Sequence, residues 1–489
     1  MMNIPEVKLG IVAVSRNCFP KAIAEGRRLA IAEKAIAEGI TIYSYPIVVE
    51  TEVDVIRAVD QLKDNSVNAL VVFLGNFGPE TPETLLAKYF DGPVMFCAAA
   101  EESVSILKTD RGDALCGLLN CSYNMALRNI NGYIPPIPFG DADAIVKMIK
   151  QFIPIARALI GVKNLKIVTF GPRPEEFITC NAPIQPLYKL GVEISENSEL
   201  DLLKAYQSHE NDPRIKEILK DMCEELNLSE PKARMEKMAQ YELTLLDLAD
   251  QLKGSRNYIA FANKCWPAFK EYFGFFPCYV NSRLTSKGIP VACEVDVYGA
   301  LSEYIGACIT NDAVTLLDIN NTVPAEQYDT YIRGKFDYTS DEVFMGFHCG
   351  NTPSCKLVEP NLTHHLILGR DLEDKSSCMG TIEGDLLPGD MTFFRLHSTA
   401  DCKLIAYAAQ GEILPVPTQS FGSIGIIAIP EMARFYRNVL LEKHFPHHAA
   451  VAFNRIGASL WEVFKLLGVT DISFNHPKGL LYPSENPFS

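Results

Sequence analysis

The sequence predicts a multidomain α/β protein: two α/β domains with parallel, Rossmann-like sheets, followed by a β-rich, barrel-like C-terminal domain. Three observations carry this expectation. The chain of 489 residues exceeds the size at which one hydrophobic core normally stops growing. Its first 130 residues alternate short β-rich runs with longer helical patterns, the signature of a parallel sheet covered on both faces. Beyond about residue 309 the texture changes to short alternating runs punctuated by Gly and Pro.

Taken in order, LGIVAVS (9–15), TIYSYPIV (41–48), ALVVFLG (69–75) and PVMFCAA (93–99) read as strands, with KAIAEGRRLAIAEKAIAEG, VDVIRAVDQLKD and ETLLAKYF as the helices between them. The Pro/Gly-rich passage 131–143 reads as a connector or exposed loop. A second α/β unit begins at NLKIVTFG (164–171) and returns to a strand at NYIAFAN (257–263). Between them, Ser229 caps and Pro231 opens an expected amphipathic helix. The runs VFMGFHCG, HHLILG, MGTIEG, LLPGDMTFFRLHS, CKLIAYAAQGEIL and IGIIAIP supply the β-rich part, with DLLPGDMTFFR read as a hairpin, and ASLWEVFKLLGV (458–469) as a covering helix. The expected domains are 1–162, 163–309 and 310–489.

The 45 basic and 60 acidic residues give a formal charge of −15 with no basic block to track a phosphate backbone, which argues against nucleic acid as a partner. No run has the length and apolarity of a membrane span, and the start MMNIPEVKLGIVAVSRN, which carries an acid and runs directly into a strand-like stretch, is unlike a signal peptide, so a cytoplasmic location is expected. The 14 cysteines include no C-x-x-C pair and sit in apolar company, as buried free thiols do. GxGxxG after the first strand, GxxxxGK[ST] and GxSxG are all absent, which lowers dinucleotide, nucleoside-triphosphate and serine-hydrolase readings.

Chemistry concentrates in CEVDVYGA. As a strand, this segment would point Glu294 and Asp296 to one face, while Gly299 and Ala300 would allow close approach of backbone or ligand. Asp318 ends the apolar run TLLDINN, where a carboxylate is costly unless paired or metal-bound. Two such acids are hard oxygen donors suited to Mn²⁺ or Mg²⁺. His348, His364 with His365, and His447 with His448 are the imidazoles available to complete a site; in an extended pair, only one of two adjacent histidines is expected to enter it.

The segments TFGPRPEEFITCN, KCWPAFKEYFGFFPCYVNSRLTSKGIPVACEVDVYGALS and LLDINN resemble the L-fucose/L-arabinose isomerase family, closer to its L-fucose isomerase branch, although this chain is shorter than a typical fucose isomerase. The resemblance implies a metal-dependent aldose–ketose isomerase acting on a free sugar such as L-fucose, D-arabinose or L-arabinose through a cis-enediol, with a modified deoxy or acidic sugar also open. It implies Glu294 and Asp318 as catalytic and metal-binding acids and His448 as the late metal ligand, with His447 as the competing position and His348 matching an extra histidine of arabinose-isomerase relatives. Arg16, Arg173, Trp266 and Asn351 are the implied substrate contacts, Arg173 suiting sugar hydroxyls or an anionic group. Mn²⁺ is the implied cofactor, Mg²⁺ or Co²⁺ the alternatives, with no organic cofactor; a homotrimer or homohexamer is the implied assembly. A sugar-binding or regulatory protein on the same scaffold is the non-enzymatic alternative, and metal-dependent epimerisation or aldol chemistry the other enzymatic ones.

Overall fold

A computed structural model describes residues 3–371, 373–483 and 485–488. The chain divides into two compact units, Pro5–Ile160 and Met1–Ile4 with Gly161–Ser489. Among the described residues no helix is long and apolar enough to cross a membrane.

The N-terminal unit is built on β1 (Leu9–Val14), β2 (Ile42–Ser44), β3 (Ala69–Leu74), β4 (Val94–Ala99) and β5 (Phe139–Gly140), arranged β2-β1-β3-β4-β5 and parallel throughout. Every residue of β1, β3 and β4 is buried, which explains why these strands read as unbroken apolar runs with helices on both faces. The helix Glu52–Asp64 starts at Thr51 with a reciprocal capping box to Asp54. The passage 131–143 is more than a connector, since Tyr133 bridges to Met95 and β5 adds an edge strand to β4.

In the larger unit, β6 (Leu165–Phe170), β7 (Glu193–Asn197), β8 (Tyr258–Ala262) and β9 (Val291–Ala292) form a second parallel sheet, ordered β7-β6-β8-β9. The helix between β7 and β8 begins at Met235, after Arg234 in a left-handed conformation (φ 69°). Ser229 and Pro231 therefore lie before it and do not cap it.

The expected β-rich region is present. It comprises β10 (Val314–Thr322), β11 (Val343–His348), β12 (Leu357–His364), β13 (Met379–Leu386), β14 (Gly389–Ser398), β15 (Leu404–Ile413), β16 (Ser423–Ala428), β17 (His448–Ala452) and β18 (Asp471–Phe474). They form a nine-stranded sheet ordered β12-β13-β16-β11-β10-β17-β14-β15-β18, and β15 pairs back onto β16, so the ladder from β16 through β11, β10, β17 and β14 to β15 closes on itself. A closed ladder leaves its members without free edges. The segment DLLPGDMTFFR (385–395) is not a hairpin: β13 pairs with β12 and β16, β14 with β15 and β17. Apolar side chains of the parallel sheet, such as Phe170 and Phe261, share one core with Leu317, Phe344 and Phe393 of the β-rich part.

One buried group of the N-terminal unit works against its fold at neutral pH. Glu83 is wholly buried, and burial pushes its pKa from 4.5 up to about 8 against the opposing pull of the Cys121 thiol. The folded state thus holds a proton that the unfolded chain releases, and stability from this group is full below pH 4.5 and lost as the pH rises to about 8. Glu83→Gln is expected to flatten that decline and to raise the denaturant midpoint most at pH 8 and above; an unchanged pH–stability profile would refute the assignment.

Candidate functional site

The β-ladder sets the first contact of the site. β10 and β17 run antiparallel with Asp318 directly opposite His448, which places carboxylate and imidazole on the same face. Asp318 Oδ1 lies 3.4 Å from His448 Nε2. Glu294 arrives from the other sheet: residues 293–295 after β9 form a tight turn rather than the expected strand. Glu294 and Val295 hold φ of 52° and 57°. Such left-handed positions cost about 1–3 kcal/mol each for non-glycine residues and persist only where surroundings fix them. Here Val295 N–H donates to Asn263 O and Asp296 N–H to Cys293 O, both at 3.0 Å. The turn brings Glu294 Oε2 to 3.3 Å from the same His448 Nε2 and 4.0 Å from His348 Nε2.

Asp296 has a different part from Glu294. It does not share a strand face with it; it caps the helix Val297–Thr310 by accepting from Gly299 N–H at 2.8 Å. A Cβ on Gly299 would stand 2.6 Å from the Asp296 carboxylate, so the close approach anticipated at Gly299 is made by this cap. Asp296 Oδ2 also accepts from His448 Nδ1 at 2.9 Å, and Arg395 Nη1 and Nη2 donate to its two oxygens at 2.8 Å each. Arg395 is wholly buried and donates as well to His448 O at 3.2 Å. Burial alone would raise the Asp296 pKa, but Arg395 and His448 hold it well below the carboxylate range. Burial likewise opposes charge on His448, yet Asp296, Glu294 and Asp318 raise its pKa well above the usual value.

With Nδ1 donating to Asp296, His448 turns an Nε2 lone pair toward Glu294 and Asp318 whenever it is neutral, the arrangement of a metal-ligating histidine backed by a carboxylate. Glu294 Oε2 and Asp318 Oδ1 are buried and make no hydrogen bond among the described residues. Two orphaned carboxylate oxygens facing one imidazole nitrogen fit a divalent cation, for which Glu294, Asp318 and His448 would be the ligands.

The remaining candidates are placed as follows. His447 Nε2 lies 3.7 Å from Asp318 Oδ1, so both members of the adjacent pair approach the acid, contrary to the expected alternation; His447 precedes β17 and escapes its pleat. Asn351 is buried, donates from Nδ2 to Cys293 Sγ at 3.6 Å and leaves Oδ1 unpartnered. Trp266 packs edge-on against Phe177, which in turn meets the His447 ring at 5.7 Å, tying Trp266 to the site indirectly. Arg173 stands in the same loop as Phe177, with Nη1 donating to Pro174 O at 3.3 Å and Nε buried without a partner. Among the described residues it has no carboxylate partner. Arg16 belongs to the N-terminal unit, where it pairs with Glu80 at 3.4 Å and lies over Phe77. His365 is buried against Phe276, and burial lowers its pKa to about 4.

Sequence reasoning missed Arg395, Phe177 and Cys180, whose Sγ is 3.8 Å from His448 Nδ1. A signal for Arg395 existed: a guanidinium between Phe394 and Leu396 in an otherwise apolar run must find a buried acid.

Asp296→Asn keeps the size of the cap but removes its charge. It is expected to weaken divalent-metal binding by about 10–100-fold, read by Mn²⁺ titration calorimetry. Arg395→Met, which strands the buried carboxylate, is expected to lower unfolding stability by about 3–5 kcal/mol in denaturant titration.

Two family models match the chain: "Fucose/sulfoquinovose isomerase, N-terminal domain" over residues 10–163 and "L-fucose isomerase, C-terminal domain" over residues 346–473. Glu294 and Asp318 lie between these segments, and His448 lies in the second. A sulfoquinovose isomerase of Alkalicoccus urumqiensis is 23% identical over 350 residues, 68% of this chain and 70% of that protein. One of Priestia aryabhattai is 25% identical over 300 residues, 60% and 65% of the two chains. A solved solute-binding protein from Burkholderia multivorans covers 63% of this chain and 95% of its own at 13% identity with a TM-score of 0.16, too slight a likeness to bear on the fold. The named isomerase relatives overturn the placement on the L-fucose branch. The motifs behind that placement, which include the acid-bearing turn, lie outside both matched segments. The chain thus carries an N-terminal segment that matches fucose/sulfoquinovose isomerases, a C-terminal segment that matches L-fucose isomerases, and a candidate metal site.

Proposed function

We propose that this chain is a divalent-metal-dependent aldose–ketose isomerase, with Mn²⁺ as the favoured ion, acting on the open-chain form of a sugar that bears an anionic substituent. The observation that carries the reaction class is the pair of buried, unpartnered oxygens of Glu294 and Asp318 about the Nε2 of His448. A bound cation would supply charge stabilisation for the two adjacent sugar oxygens as negative charge develops on them.

The protein groups do the rest. One carboxylate of the Glu294–Asp318 pair removes the C2 proton of the aldose to give a cis-enediol, then returns a proton to C1; the other moves the hydroxyl proton from O2 to O1. The roles exchange in the reverse direction, and no redox cofactor takes part because the substrate is only rearranged. His448, held by Asp296 and Arg395, fixes the distance between the acids. Phe177 shields one side of the His447–His448 pair from water.

The anionic group is argued from Arg173 and from the relatives. Its guanidinium has a buried Nε without an acceptor, in a chain whose acidic residues outnumber its basic ones. A planar fork of donors suits a sulfonate or carboxylate. The named relatives are sulfoquinovose isomerases, and a sulfonated aldose is accordingly the first substrate to try. Arg16, Trp266 and Asn351 remain proposed sugar contacts, and a closed trimer or hexamer the proposed assembly.

The test is a panel of sulfonated, carboxylated and neutral aldoses with Mn²⁺ in D₂O, followed by NMR. The expected result is ketose formation with solvent deuterium entering at C1 or C2. Glu294→Gln and Asp318→Asn should each fold normally and lose about 10²–10⁴-fold in kcat. Arg173→Gln should raise KM for the anionic sugar and leave a neutral one little affected. Sugar binding with no exchange across the panel would identify a binding protein instead, and a product of altered stereochemistry or carbon number a different enzyme.

A further inference from the structure

His348 stands beside the three candidate ligands. Its ring nitrogen, one Asp318 oxygen and one His448 nitrogen all lie within 4.8 Å of one another, so proximity alone would count it as a fourth ligand. Its hydrogen bonding says otherwise. His348 Nδ1 accepts from the backbone N–H of Cys349 at 3.0 Å. A nitrogen that accepts carries no proton, so a neutral ring must carry it on Nε2, the nitrogen that faces Glu294. Nε2 is buried and has no hydrogen-bond partner among the described residues.

His448 has the opposite arrangement: Nδ1 lies 2.9 Å from the Asp296 carboxylate, which can only accept, so that the Nε2 lone pair is free. For His348 to bind a cation through Nε2, both ring nitrogens would have to be unprotonated, which a neutral imidazole cannot provide. Turning the ring over does not help, since it places carbon atoms where Nδ1 and Nε2 now stand. The backbone holds this arrangement in place. Gly350, two residues on, has φ of 140°, and a Cβ there would stand 2.7 Å from Ile382 N, so the chain after β11 has little room to move Cys349 away.

We infer that His348 is not a metal ligand but a hydrogen-bond donor, whose Nε2–H is aimed at a substrate oxygen on which negative charge develops during enolisation. This rests on the isomerase reading above. No proton leaves the imidazole: it polarises the carbonyl and stabilises the enediolate, while the proton transfers stay with the carboxylate pair. A neutral imidazole serves well as such an electrophile because it gives a hydrogen bond without competing for the cation's place.

The experiment counts histidines on the metal. Protein labelled with ¹⁵N-histidine is loaded with Mn²⁺, and pulsed electron paramagnetic resonance reports the directly coordinated imidazoles. The expected outcome is the same count and the same Mn²⁺ affinity in wild type and His348→Gln, with one histidine fewer in His448→Gln. In turnover, His348→Leu should lose about 10²–10³-fold in kcat with KM little changed, and His348→Gln, which keeps an N–H near the Nε2 position, should recover part of that loss. A count that falls by one in His348→Gln, or full kcat in His348→Leu, would overturn the inference. Wild-type protein that takes up no Mn²⁺ would instead defeat the underlying metal reading, an outcome seen before any variant is made.

Discussion

Asp296 is the point at which this structure holds together chemically. One buried carboxylate accepts from the N-terminus of the helix Val297–Thr310, from both Nη atoms of Arg395 on β14 and from the ring of His448 on β17. Removing a carboxylate and a guanidinium from water costs several kcal/mol each, and only near-complete hydrogen bonding offsets it. The pair is therefore weak evidence for stability. It is strong evidence for placement, because a helix and two strands are fixed to one another by groups that cannot be left unmatched.

That placement aims the site. The cap on Gly299 sets where the helix begins, and the turn just before it must accommodate Glu294 and Val295 in left-handed conformations. A β-branched residue there is strained, and the hydrogen bonds from Val295 to Asn263 and from Asp296 to Cys293 hold the turn against relaxation. The reward is a Glu294 carboxylate delivered from a parallel sheet to an imidazole on an antiparallel one. Asp318 needs no such device, because the register of β10 against β17 delivers it directly.

How much of this could be read beforehand follows from the range of each interaction. The wholly buried strands β1, β3 and β4 were legible because parallel pairing writes a local apolar run. Glu294 and Asp318 stood out as costly acids in apolar company, whereas His448 was singled out from the other histidines only by the family resemblance. The turn at 293–295 was not, since alternation in CEVDVYGA looks like a strand, and only the contacts of Asp296 with residues far along the chain select a turn and a helix instead. The supposed hairpin at 385–395 failed for the same reason: adjacency in sequence suggested a pairing that the closed ladder assigns to other strands. The branch of the family was not legible, because the conspicuous motifs surround the acids and carry no statement about the sugar.

The donor set also bears on which cation the site would favour. Several thiols stand close by: Cys180 beside His448, and Cys293 in the turn that carries Glu294. Soft metals would be drawn to thiolates, but burial, with Glu294 next in weight, raises the Cys293 pKa well above its usual value, and burial likewise raises that of Cys180 against the pull of His448. Both remain thiols at neutral pH. Cys180 moreover lies on the Nδ1 side of His448, away from the lone pair directed at the carboxylates. The groups about His448 Nε2 are two carboxylate oxygens, a harder donor set than a closed thiolate cage. The same burial that makes Asp296 expensive thus keeps the neighbouring sulfurs protonated.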